Sequence, residues 1–579
     1  MGTVNMSQPV LADQALANQA LFVAYPPENH ETTADRIFFI GTAAPDDEVR
    51  INGEEIENRS PDGHFAPTLP LSMGENRFTL TQGNESLTLN ITRLPQTTPA
   101  PAGVAFAESS LTPATNIVRQ PGELICFGAI APPEATVSVR LADQTIPLQP
   151  QPLGAELPPN YAVLTDQTAP IEVTATQYGG CATFNQPGNF GSPEFRLTLD
   201  GETVSQVGAG SVSILSPVNF DVAEVTVDSG IARTGPSTDY SRLTPLPEGT
   251  QASITGREGE WVRLDYGAWI RESEVRVFES PVPPRTIIRG VRSQQVEGWT
   301  EVIFPMVVPV PMSVEQDTTS LTLILHNTTP QTDTIYFSDD PVVERMDWQP
   351  ILPDKASYTF HFKNAQQWGY KLRYEGSSLI LSLRHPPENS GTSPLQGTRI
   401  LIDPGHGSSE DLGARGPNGY PEKDVVLLVS KLVRDELRAR GATVIMTREG
   451  DDDLYPRDRV DVINREEPTL ALSLHYNALP DSGDALNTAG IGAFWYHPQA
   501  HDLALFLHNY LVEQLDRPVY GVYWNNLALT RPAVAPSVLL ELGFMINPNE
   551  FEWITDPAAQ RALAATLADG VEAWVAGQG

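Results

Sequence analysis

Cysteine is almost missing from this chain. Cys126 and Cys181 are the only two in 579 residues, and neither falls in the last third. The framework can hold one disulfide at most, expected if the chain is exported; the alternative is two unrelated buried thiols. Positive charge is also scarce. Lys plus Arg number 37 against 72 Asp plus Glu, a net charge of −35. A surface this acidic repels phosphate backbones and anionic lipid, so nucleic-acid partners are excluded and adsorption to acidic membranes is disfavoured. No run approaches the roughly 18 apolar residues that a membrane span needs. The opening Met1-Gly2-Thr3-Val4-Asn5-Met6 lacks a basic stretch followed by an apolar one, so no signal peptide is read there.

What is present is globular and divided. Apolar residues make up 40% and charged ones 19%, which is not a disordered composition. The length predicts about three to five domains. The 51 prolines predict many turns and several linkers.

Residues 1–17 are polar and rich in Ala and Gln, and are expected to form a flexible tail. From 18 to 95 short alternating runs such as Arg36-Ile37-Phe38-Phe39-Ile40 and Asn76-Arg77-Phe78-Thr79-Leu80-Thr81 predict a β-sandwich, with Asn52-Gly53 as a hairpin turn. Through "ING", "GHF" and the "GEN" strand this segment resembles bacterial immunoglobulin-like modules. Pro95 to Pro101 reads as a linker, and 103–217 as a second sandwich holding both cysteines. About five short strands between 220 and 278 predict a small barrel. Through "ARTGPSTDYSRL", "EWVRL" and "GAWI" it resembles the bacterial SH3-like domain, a module that tethers enzymes to cell walls. Trp261 and Trp269 would form a binding surface or, the favoured reading, pack the barrel. Residues 286–386 alternate again, as in Ser320-Leu321-Thr322-Leu323-Ile324-Leu325, and are expected to form a sandwich resembling the AMIN domain. His326, His361 and His385 are read there as ordinary sheet residues. A linker is expected at 387–397.

At 398–579 the pattern changes to strands alternating with helices, which predicts an α/β domain with a mostly parallel sheet. Helices are expected at about 421–440, at Pro456–Glu466, Pro498–Leu515 and Pro557–Val575, the first with Val425, Leu428, Leu432 and Leu437 on its apolar face. Strands are expected up to His406, at Thr443–Thr447, Thr469–His475, Gly492–Tyr496 and Ser537–Glu541. Four residues then stand where strands end or helices begin: His406 in Asp403-Pro404-Gly405-His406-Gly407, Glu422, His475 and Glu541. Open α/β sheets bind ligands at that rim. Two His and one carboxylate can hold zinc with a coordination place left for water, and a second carboxylate can act as base. That chemistry suits hydrolysis of an amide. His497, His501 and His508 lack such a setting and are expected to be exposed helix positions. Arg448, Arg459 and Asn464 are expected to be solvated or to pack helices, and Asn477 to help shape the cleft.

Read in order, "ILIDPGHG", "GARG", "EKDVVL", "VIMTRE", "RVDVIN", "LSLHYNA" and "VLLELGFMIN" make residues from about 398 to 577 resemble the zinc-dependent N-acetylmuramoyl-L-alanine amidases usually called Amidase 3. The resemblance implies that His406, Glu422 and His475 are the zinc ligands and Glu541 the catalytic glutamate. It implies cleavage of the bond between N-acetylmuramic acid and L-alanine of the stem peptide, in wall remodelling or daughter-cell separation. Peptidoglycan is then the partner, with an envelope activator protein as a further candidate, and the periplasm or cell wall the place of action. Two other readings stand beside it, a non-catalytic wall-binding scaffold and a zinc peptidase that cuts within the stem. The chain departs from the family at Ser408, where a glycine is usual, and at Leu474 and Tyr476. Tyr476 is expected to narrow the cleft. Some family members carry a helical plug after the second His; here only about a dozen residues, Pro480 to Ala489, precede the next strand, so no plug is expected.

Overall fold

Asn52 and Gly53 both adopt positive φ, 51° and 87°. They link Val49–Ile51 to Glu54–Glu55 as an antiparallel hairpin with Ile51 opposite Glu54. These two residue types accept such a turn at little steric cost. The hairpin belongs to a five-stranded sheet with Gly74–Gln82, Glu85–Arg93 and His30–Thr32. A three-stranded sheet of Phe22–Tyr25, Ile40–Thr42 and His64–Phe65 accompanies it. Ile37, Phe39, Val49, Phe65, Leu80 and Ile91 fill the core of this N-terminal module.

The computed structural model describes residues 20–96, 100–151, 155–156, 171–172, 176–218, 220–337, 339–387 and 393–578. The tail expected at 1–17, and residues 388–392 of the linker expected at 387–397, lie outside the described residues. The chain divides into two compact units: Met1–Gln96 with Pro387–Gly579, and Thr97–Pro386.

The unit Thr97–Pro386 is built almost wholly of strands. Leu124–Ile130 and Gln177–Thr183 are antiparallel neighbours with Cys126 opposite Cys181, and the two cysteines are disulfide-bonded. Ile117–Arg119 pairs with Gln251–Glu258, so the segments 103–217 and 220–278 share one eight-stranded sheet. Trp261 and Trp269 are buried, which fits a packing role. Arg233 and Arg271 lie over the first ring, Arg119 and Arg263 over the second. Segment 286–386 forms a five-stranded and a four-stranded sheet, with Phe304 of one against Tyr358 of the other.

The C-terminal domain consists of β1 (Arg399–Pro404), α1 (Glu422–Ala439), β2 (Thr443–Met446), α2 (Pro456–Glu466), β3 (Leu470–Asn477), β4 (Ile491–Trp495), α3 (Pro498–Leu515), β5 (Val519–Trp524), β6 (Ser537–Phe544), α4 (Pro548–Thr555) and α5 (Pro557–Gly577). The sheet order is β2-β1-β3-β6-β4-β5. All pairings are parallel except β4 with β6. Helix α5 packs against both α1 and α3. The inward stripe of α1 is Val425, Val426, Val429, Val433 and Leu437, while Leu428 is 41% exposed. This corrects the apolar face expected from the sequence. The observed i, i+4 series puts one residue per turn on the sheet side, and Leu428 lies a turn-third away. Gly441, at φ 99°, ends the helix as expected. Two elements lay outside the sequence reading, β5 with Gly521 at its centre and the short α4, which Asn547 caps by accepting from the Asn549 and Glu550 amides.

Candidate metal centre

Backbone register brings the site together. Strands β1 and β3 run parallel with Asp403 opposite Ser473, and β3 and β6 run parallel with His475 opposite Glu541. Residues level with each other on neighbouring strands point to one side, so His475 and Glu541 stand side by side. His406 follows the end of β1, and Glu422 is the first residue of α1.

The loop that presents His406 is unusual. His406 and Ser408 both have left-handed φ, 57° and 59°. Non-glycine residues hold such angles only where surroundings enforce them. Two buried arginines do so. Arg459 donates to the carbonyls of Pro404, at 2.6 Å, and His406, and its guanidinium pairs with Asp403 at 2.8 Å. Arg448 donates to the carbonyls of Pro404 (3.1 Å), Gly405 (2.8 Å) and Lys423 (2.8 Å). It therefore ties the His406 loop to the start of α1. Asp403 also accepts from the Ser473 and Thr447 hydroxyls. Burial opposes its ionisation, but the Arg459 charge and the hydroxyl bonds outweigh burial and hold its pKa below the usual range.

Glu422 is 2% exposed. One carboxylate oxygen accepts from the Tyr476 amide at 2.9 Å, the other from the Ala414 amide at 2.8 Å. Its position at a helix N-terminus further favours negative charge. Its Oε2 lies 3.2 Å from His406 Nε2 and its Oε1 3.2 Å from His475 Nδ1. The Nδ1 of His406 meets Asp411 Oδ1 at 2.6 Å, a carboxylate that orients the ring from behind. Donor atoms of His406, Glu422 and His475 all lie within 4.8 Å of one another. Glycine makes this approach feasible. A Cβ on Gly405 would fall 2.3 Å from the His475 ring, and one on Gly413 would fall 2.5 Å from Glu422 Oε2.

The electrostatics of the three donors agree with their geometry. Burial would raise the Glu422 pKa, but hydrogen bonds from both imidazoles hold it well below the carboxylate range. Burial would lower His406, but the Glu422 hydrogen bond and charge, with Asp411, push it up to about 9. His475 moves the same way against its own burial, again through Glu422. The point where the donors meet therefore favours positive charge. Two imidazoles and a carboxylate there can hold a divalent metal ion, which would displace the protons. Beside them Glu541 is buried enough to raise its pKa to about 7, with repulsion from Glu422 adding to the shift and His475 and His406 opposing it. Its Oε2 has no hydrogen-bond partner among the described residues.

The other expectations divide. Tyr476 does not narrow a cleft. It is 2% exposed, because strand alternation turns it away from His475 and into the core. Arg448 and Arg459 are not solvated; they are 2% and 3% exposed and hold the His406 loop. Nothing in their sequence spacing distinguishes them from surface arginines. His508 is buried at 4% exposure, contrary to expectation, on the inward side of α3. His497 is half-buried with its Nε2 2.8 Å from the Arg531 carbonyl, whereas His501 is exposed beside Trp495. Asn464 is exposed. Asn477 accepts from the next-door Ala478 amide. The stretch between β3 and β4 contains no helix.

The pattern of the Amidase_3 family, N-acetylmuramoyl-L-alanine amidase, matches residues 400–573. The chain is similar to the germination-specific N-acetylmuramoyl-L-alanine amidase of Bacillus subtilis (strain 168), 34% identical over 200 residues, which is 31% of this chain and 80% of that protein. It is also similar to the probable cell wall amidase LytH of Staphylococcus aureus, 35% identical over 185 residues, 31% of this chain and 60% of LytH. A solved structure with likeness is the N-acetylmuramoyl-L-alanine amidase from Clostridium difficile 630, 25% identical with a TM-score of 0.30, covering 31% of this chain and 98% of that one.

Proposed function

The chain belongs to the N-acetylmuramoyl-L-alanine amidases, and from that premise we propose how its last third cleaves peptidoglycan. The domain is a hydrolase of an amide bond in the wall polymer. His406, Glu422 and His475 are the residues that would hold zinc. Zinc, when bound, supplies Lewis acidity that lowers the pKa of water to about 7 and polarises a carbonyl. Asp411 fixes the His406 ring, and the Tyr476 and Ala414 amides fix the Glu422 carboxylate. Glu541 takes the proton of the attacking water on Oε2 and returns it to the leaving amine, so the amine departs neutral. The bond cut is that between the lactyl group of N-acetylmuramic acid and L-alanine.

The observation that carries this reading is the convergence of three metal donors with, next to them in register, a Glu541 carboxylate oxygen that has no hydrogen-bond partner among the described residues. The segments at 103–217, 220–278 and 286–386, read as a sandwich, an SH3-like barrel and an AMIN-like sandwich, position the enzyme on the wall or engage an envelope activator. The protein is exported and acts in the periplasm or wall.

The test is metal analysis joined to digestion of purified peptidoglycan by wild type and by Glu541→Ala. Wild type should carry about one zinc and release free stem peptides, while the variant keeps the zinc and releases none. Muropeptides left intact by a zinc-loaded wild type would refute the reading. Fragments cut within the stem would replace it with the peptidase reading.

A further inference from the structure

The N-terminal module and the catalytic domain are far apart in sequence and packed together in one unit. Their contacts gather on the stretch that follows His475. Asp481 is the hub. Its carboxylate accepts from Tyr25 Oη and lies 2.9 Å from His30 Nε2. Its carbonyl accepts from the Phe38 amide at 3.2 Å. Two residues on, the Gly483 carbonyl accepts from Thr68 Oγ1 at 3.3 Å. Around this polar grip Phe38, Ile40 and Ala66 pack with Ala485, Phe544 and Ile546 in one buried apolar cluster.

The division of labour along 478–490 is informative. The later half is held by the catalytic domain itself. Asn547 Nδ2 donates to the Leu486 and Thr488 carbonyls, and Glu550 accepts from the Gly490 amide. The earlier half, which adjoins the strand carrying His475, is gripped by the module. The module also reaches the other donor-bearing loop. The Phe22 ring lies so close to Gly419 that an added Cβ would come within 3.3 Å. His64 meets Phe551 edge-on at 5.2 Å, and Phe551 in turn fills the space where a Gly416 side chain would stand. Gly416 and Gly419 both belong to the loop between His406 and Glu422.

Since the family pattern starts at residue 400, these braces come from outside the matched domain. We propose that residues 20–96 are a working part of the catalytic domain, with Asp481 the positioning residue through which they fix the segment that follows His475. The proposal rests on the functional reading above. It assigns the module to substrate engagement by this site, apart from any hold on the wall polymer elsewhere.

The experiment uses the full chain as wild type, Asp481→Ala, Asp481→Asn and Glu541→Ala. Hydrogen exchange is followed in peptides covering 478–490 and 422–439, and kcat and KM are measured on soluble, uncross-linked peptidoglycan strands. Asp481→Ala should exchange about tenfold faster over 478–486, with 422–439 unchanged. Its kcat/KM should fall roughly tenfold or more, mainly through KM, at wild-type metal content. Asp481→Asn keeps an acceptor for Tyr25 and should recover part of both effects. Unchanged exchange over 478–486, or faster exchange with unchanged kcat/KM, would overturn the proposal. Failure of the functional reading would show differently, as a wild type that releases no more stem peptide than Glu541→Ala.

Discussion

Asp403→Asn puts the support of the His406 loop to the test. The substitution conserves shape and removes the charge. The native carboxylate accepts from Arg459, Ser473 and Thr447, all as donors. An amide offers one oxygen and turns an NH2 toward groups that also donate, so at least one donor is left unmatched. Breaking a buried ion pair by removing one partner costs about 3–5 kcal/mol. Arg459 keeps its carbonyl bonds to Pro404, His406 and Leu454, which argues for the lower end, about 3 kcal/mol. For a domain of this size each kcal/mol moves Tm by about 2–4 °C, so a fall of about 6–12 °C is expected. Differential scanning calorimetry on the full chain measures it, followed across pH. The sign follows from the depressed pKa of Asp403. A carboxylate held below its unfolded value stabilises above that value, about 3.9, and loses the contribution as pH falls through the lower folded value. The gap between wild type and variant should be full at neutral pH and close only in strong acid. A gap under about 2 °C at pH 7, or one that widens on acidification, would refute the reasoning.

Three further outcomes are expected. Tyr476→Phe removes a buried hydroxyl that has no hydrogen-bond partner among the described residues; stability should hold or rise by about 1 kcal/mol in urea titration, with kcat/KM unchanged. Gly413→Ala forces a Cβ to within 2.5 Å of Glu422 Oε2 at a φ of 68°, and should weaken metal binding roughly ten- to a hundredfold in competition with a chromophoric chelator. Removing metal by dialysis against a chelator should lower the Tm of wild type, by about 4 kcal/mol of stability if the ion had been present at a thousandfold over its Kd, and leave His406→Ala unaffected.

The sequence carried the sheet and its rim because both depend on local pattern. Apolar runs leading to His406, His475 and Glu541 mark three strands, and neighbouring parallel strands bring such residues level with one another. Parity alone could have placed Tyr476 in the core, since it follows His475 directly on a strand. The Asn547-Pro548-Asn549-Glu550 stretch held a helix start in plain view, with a capping Asn and a Pro at the first turn. Gly521 masked β5 by breaking its pattern. Arg448, Arg459 and Asp411 are another matter. Whether an arginine dissolves or threads under a loop depends on where carbonyls gather in three dimensions, and no spacing in the chain encodes that. The same holds for the grip on Asp481, whose partners lie more than 400 residues away, His30 at a separation of 451.

That separation has a temporal side. At about 5–20 residues per second, a ribosome that has made His30 needs about 20–90 s to reach Asp481. The module's own core can close early, since its strands pair with one another within residues 20–96. Its face of Phe38, Ile40 and Ala66 must meanwhile wait without its counterpart. An apolar face kept waiting is a surface for premature association, so this chain should lean on chaperones for the interval between residues 20–96 and the catalytic domain. Contacts that close late are thus made by residues synthesised more than 400 positions earlier.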